Sequence, residues 1–152
     1  MLRSFLIGLV AGQRAMTPLA ALAIAGQRGA LPHDNAGARL MTLPLIAVGG
    51  ITMAVAEMAG DKMKIAPNRT VFLGLLVRTT TSGFAGAALA PQKRQFEGAA
   101  LSVGAAIAAS YLGLAGRQWA MRRWGQTATG FAEDAIVFCA AYVISNARPS
   151  ES

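Results

Sequence analysis

Residues 98–116 run for nineteen positions without a charge, and that run constrains the chain more than any other feature in it. At about 1.5 Å per residue, a helix of this length reaches about 30 Å, the thickness of a bilayer's hydrocarbon core. The run is rich in Ala, Gly and Ser, small side chains that let neighbouring helices approach closely. Four further stretches are nearly as apolar, at residues 5–25, 40–59, 71–90 and 127–144. Of the 152 residues, 54% are hydrophobic and 14% charged, whereas a soluble domain carries about a quarter charged residues. The sequence therefore predicts a single all-α domain over residues 1–152, a polytopic transmembrane bundle of about five membrane-spanning helices. A disordered chain is excluded, because such chains are apolar-poor and charge-rich.

The net charge of +7 would raise nucleic acid as a partner in a soluble protein. Here Arg3, Arg28, Arg39, Lys62, Lys64, Arg69, Lys93, Arg94, Arg117, Arg122, Arg123 and Arg148 flank the candidate spans. The expected partner is thus a bilayer with anionic headgroups, and not nucleic acid. With five crossings and a cytoplasmic N-terminus, seven of these bases lie inside and five outside. That bias favours the cytoplasmic N-terminus only slightly. Arg3 before an apolar stretch also fits a signal peptide, but the apolar run resumes past Arg14. One cysteine, Cys139, and one histidine, His33, preclude a disulfide framework, a Cys-based zinc site or a His-rich metal site within one chain. No cofactor or metal is expected.

The polar residues inside the spans carry the functional argument. Each charge at mid-membrane costs about 2.5 to 3.5 kcal/mol on insertion scales and must be offset by a partner or by water. Arg14 and Arg78 are the intramembrane bases; Glu57, Asp61, Glu133 and Asp134 are the acids. Glu57 and Asp61, four apart, share a helical face, whereas the adjacent Glu133 and Asp134 point about 100° apart. Thr17 follows Arg14 by three residues and Thr81 follows Arg78 by three, so hydroxyls share the arginine faces. One interior cluster is the economical expectation, with guanidinium forks holding carboxylates. Such a cluster either locks the helices together or lines a hydrated cavity that handles an ion, a proton or an anionic headgroup.

Pro18 removes the hydrogen bond to the Arg14 carbonyl, so a kink is expected there, beside a guanidinium. Gly8 and Gly12 form a GxxxG read as close helix packing. The blocks Gly8-Leu9…Arg14…Thr17 and Gly74-Leu75…Arg78…Thr81, followed by Ala56-Glu57 and Ala132-Glu133, read as a degenerate internal repeat or as chance in Ala-rich sequence. Enzyme motifs are missing: there is no phosphate-binding Gly-Lys-Ser/Thr loop, Ser-centred elbow, or nucleophile near a histidine in sequence. No catalytic residue is assigned.

The segments Gly12-Gln13-Arg14-Ala15-Met16-Thr17-Pro18, Ala56-Glu57-Met58-Ala59-Gly60-Asp61-Lys62-Met63 and Gly130-Phe131-Ala132-Glu133-Asp134 together resemble a family of small bacterial integral membrane proteins. That family is the domain of unknown function numbered four-one-two-six. The resemblance covers nearly the whole chain and implies a bacterial inner-membrane location without a biochemical role. Relatives follow the acidic stretch with Pro and a further Asp; here Met63–Pro67 intervenes and Asn68 stands in place of the acid. The expected function is a small transporter or channel for an ion or anionic solute, using Arg14, Thr17, Glu57, Asp61, Arg78, Thr81, Glu133 and Asp134. The alternative is a non-catalytic scaffold or accessory subunit whose charge network is purely structural. An intramembrane lipid-modifying enzyme is a third reading. The small-residue faces of 98–116 invite self-association into a homo-oligomer.

Overall fold

The structure, a computed structural model, describes residues 1–60 and 72–147. Among them all regular structure is helical: α1 (Leu2–Gln13), α2 (Thr17–Gln27), α3 (Ala36–Met41), α4 (Pro44–Gly60), α5 (Phe72–Leu89), α6 (Gln95–Trp124) and α7 (Gln126–Asn146). A 3-10 turn at Gln92–Arg94 leads into α6. Three segments are long and apolar enough to cross a membrane: α5, α6 with the turn before it, and α7. The apolar helices α1 and α4 are shorter. Asp61, Lys62, Lys64 and Arg69 lie outside the described residues.

The stretch expected as one span over 5–25 is not one helix. Arg14, at the end of α1, is extended (φ −139°, ψ 117°). After it α2 begins, with Pro18 in the first turn. A proline there removes no helical hydrogen bond, because first-turn amides have no partner inside the helix. The kink expected at Pro18 is therefore a complete break, with Pro18 starting the second helix instead of bending the first.

Both halves lead to the same end of the bundle. At the start of α1, Arg3 donates from Nε to the Ile144 carbonyl (3.0 Å) and from Nη2 to that of Ser145 (2.7 Å). These carbonyls belong to the last turn of α7, where a cation is favoured by the helix dipole. Past the other end of α1, Arg14 donates to Asp134. Eleven residues separate Arg3 from Arg14 and eleven separate Asp134 from Ser145, so α1 runs antiparallel to α7 and in register with it.

α2 then turns back. Arg28, just past its end, donates to the Tyr142 hydroxyl and lies 5.3 Å from the centre of that ring. Further on, the fully buried Asn35 caps α3 through its oxygen and donates from Nδ2 to the carbonyls of Ala87 (2.7 Å) and Ala90 (3.0 Å), at the end of α5. Thus α1 and α2 are the arms of a helical hairpin, with its tip at Arg14, Ala15 and Met16. α4 runs back along α2, from Met41 and Thr42 beside Gly26, past Leu19 beside Gly50, to Glu57 at the tip.

Small residues make these close approaches. A Cβ on Gly8 would lie 2.3 Å from the Ser102 carbonyl oxygen of α6, and one on Gly86 of α5 would lie 2.4 Å from that of Gly98. Ser4 donates to the Gly86 carbonyl (3.0 Å), Ser110 to that of Gly12 (3.2 Å), and Ser82 to that of Ser102 (2.8 Å). The small face of α6, expected to drive self-association, is in part turned inward: Gly98, Ser102, Ala105, Ala106, Ala109 and Ser110 are buried within the chain. Large apolar side chains point the other way, with Leu45 82%, Phe96 87% and Ile136 69% exposed. Water-soluble monomers rarely present apolar surface on this scale; in lipid, which is as apolar as leucine, the arrangement costs nothing and small residues take the helix contacts.

Two other expectations change. Residues 117–124, whose bases the sequence places just outside the candidate span at 98–116, continue α6 to Trp124, and the helix ends only where Gly125 adopts φ +84°. Between Gly116 and Gly125 there is no glycine or proline to stop it earlier. The two blocks of the suspected repeat also differ locally: Arg14 sits in a break, whereas Arg78 lies inside the continuous α5.

Candidate functional site at the hairpin tip

A break inside a bundle of apolar helices leaves backbone amides and carbonyls that no water can satisfy, so other groups must come to them. At this tip the group is Glu57 of α4. Its Oε1 accepts the Ala15 N–H at 2.8 Å and its Oε2 accepts the Met16 N–H at 2.9 Å. Both carboxylate oxygens are thus spent on consecutive amides at the start of α2, where the helix dipole favours negative charge and an ionised acceptor makes the stronger bond.

The neighbouring charges converge from three helices. Arg14, 2% exposed, makes an ion pair with Asp134, 8% exposed. Glu133, the next residue, faces about 100° away as its helix requires; it pairs with Arg117 of α6, Nη1 to Oε2 at 3.3 Å. Gln13 closes the α6 side, donating to the Ala109 carbonyl at 2.9 Å. Arg78 is also buried, one turn before Ser82 on α5. Among the described residues the buried and half-buried charges near the middle of the bundle are therefore three arginines and three acids, where the sequence had two bases to set against four acids.

The two threonines behave differently. Thr81 donates to the carbonyls of Val77 (2.9 Å) and Arg78 (3.2 Å) in its own helix, so its hydroxyl is spent on the backbone. Thr17, first residue of α2, is fully buried, and its Oγ1 has no hydrogen-bond partner among the described residues. Asp61 lies outside the described residues. Sequence reasoning missed Arg117, read as interfacial, and gave Gln13 no role. The signal for Arg117 was the absence of a helix breaker before Gly125. Among the described residues no three His, Cys, Asp or Glu side chains gather as metal ligands do.

No protein-family model, curated protein or solved structure matches the chain.

Proposed function

We propose that this is a small bacterial inner-membrane protein that carries or conducts an anionic solute or ion through its interior, with the tip of the α1–α2 hairpin as its site. The observation that supports this reading most is the break itself. It brings two backbone amides, a buried hydroxyl with no hydrogen-bond partner among the described residues, and the Arg14–Asp134 pair together among apolar helices. Discontinuous helices whose half-helix N-terminus points into the protein are a recurring way to hold an anionic group inside a membrane. The resemblance to the family of unknown function supports the bacterial inner-membrane location.

In this reading α4, α5, α6 and α7 cross the membrane and the hairpin enters and leaves on one face, with its irregular tip buried in protein, as non-helical backbone at membrane depth requires. Arg3 then shares a face with Arg28, Arg39, Lys93 and Arg94, not the opposite one. A labelling experiment separates the topologies. In a Cys139→Ser background, Leu2→Cys and His33→Cys, both exposed, are expected to react with a membrane-impermeant maleimide from the same side. Labelling from opposite sides would restore a single crossing at 5–25.

A purely structural network is the second reading, and one observation favours it: Glu57, Arg14 with Asp134, and Arg117 with Glu133 all have partners. Flux in proteoliposomes decides between them. Arg117→Gln, next to the tip, is expected to leave a folded protein whose anion flux falls at least tenfold. Full flux in that variant, or none in the wild-type protein, would favour the structural reading.

A further inference from the structure

We propose that the hairpin tip is a carboxylate-binding site, occupied in the resting protein by its own Glu57, and that the solute it accepts is a small monocarboxylate. This rests on the reading of the tip as the solute site and names the chemistry of what binds there. The geometry is that of a bound carboxylate: a planar two-oxygen group presents one oxygen to each of two successive amides, at 2.8 and 2.9 Å. A second observation is independent of Glu57. The Thr17 hydroxyl belongs to the residue that follows the two donating amides; it is fully buried yet makes no hydrogen bond among the described residues. A buried hydroxyl without a hydrogen bond carries an uncompensated desolvation cost, which an arriving ligand oxygen removes and Glu57, with both oxygens on backbone amides, does not.

Glu57 is tethered on α4 and so competes at high effective concentration. An incoming carboxylate must displace it, and the site is therefore closed to weak ligands until Glu57 leaves. This makes the site testable by chemical rescue, because Glu57→Ala deletes a CH₂–COO⁻ group, the equivalent of one acetate ion. In detergent, acetate is expected to raise the melting temperature of Glu57→Ala by about 3 to 6 °C at ten times its Kd, the shift that mass action gives for a chain of this size. Wild-type protein should show no such rise, and neither acetamide nor chloride at the same concentration should reproduce it. Adding Thr17→Val to Glu57→Ala is expected to remove at least half of the acetate shift.

If Glu57→Ala does not yield folded protein, Glu57→Gln serves instead. Its amide oxygen still accepts one backbone N–H while its NH₂ opposes the other, so acetate is again expected to stabilise it. A folded Glu57→Ala or Glu57→Gln protein that acetate leaves unmoved would overturn the proposal. So would an equal acetate shift in the wild-type protein, which would place the ion elsewhere. The melting shift reads binding alone: rescue without flux removes transport and keeps the site, whereas flux without rescue removes the site and keeps transport.

Discussion

Asp134→Ala is expected to lower the melting temperature of the detergent-solubilised protein by about 10 °C. Asp134 is 8% exposed and Arg14, whose guanidinium its carboxylate accepts from, is 2% exposed. Removing one partner of a buried ion pair is strongly destabilising, a loss of about 3 to 5 kcal/mol. In a chain of this length each kcal/mol moves the melting temperature by about 2 to 4 °C. The apolar double variant, Arg14→Met with Asp134→Leu, is expected to recover most of that loss, because it removes both desolvation costs together. A double variant as stable as the wild type but without flux would show that the pair is kept for what it does at the tip. If Asp134→Ala melts within about 1 °C of wild type, the pair does not hold the hairpin to α7.

Gly8→Leu is expected to prevent assembly of the bundle. Even a Cβ at this position would lie 2.3 Å from the Ser102 carbonyl oxygen, 2.8 Å from the Ser102 Cα and 2.9 Å from the Ala105 Cβ. Backbone cannot move aside as a flexible side chain can, so α1 and α6 must separate. Overpacking of this kind costs about 1 to 3 kcal/mol for single added methylenes and more for a branched side chain. Separation would also break the Ser110 to Gly12 and Gln13 to Ala109 hydrogen bonds that lie further along the same contact. Gly104→Ala provides the contrast on α6. A Cβ there meets nothing within 4 Å, and alanine should stabilise the helix by up to about 1 kcal/mol through propensity alone. Monodispersity in size-exclusion chromatography and melting temperature report both outcomes. A folded, wild-type-like Gly8→Leu protein would show that α1 does not lie against α6 as described.

Much of the tip could be read from residues alone, because charges inside apolar stretches stand out wherever they occur. Arg14, Glu57, Glu133 and Asp134 are visible for that reason, and the divergence of Glu133 from Asp134 follows from helix geometry, one facing α6 and the other α1. Arg117 was not visible as part of the same group. Its distance from Glu133 depends on how α6 and α7 fold back on each other at Gly125, a long-range contact that no local pattern carries. The role of Glu57 was likewise hidden, since its partners are backbone amides of Ala15 and Met16, and amides leave no mark in a sequence.

The residues of this chain determine by themselves that it is all-helical and that its surroundings are apolar, because both follow from local quantities: hydropathy summed over a helix length, and the near-absence of charge across 98–116. They do not determine that residues 5–25 turn back. Hydropathy is blind to direction, and an apolar stretch with a polar centre scores the same whether it crosses or reverses. Reversal is decided by which partners each half finds. Arg3 meets the C-terminal carbonyls of α7 and Arg28 meets Tyr142 at that same end, while Glu57 satisfies the amides that the break exposes. Those contacts join residues up to 142 positions apart, and only the folded chain brings them together.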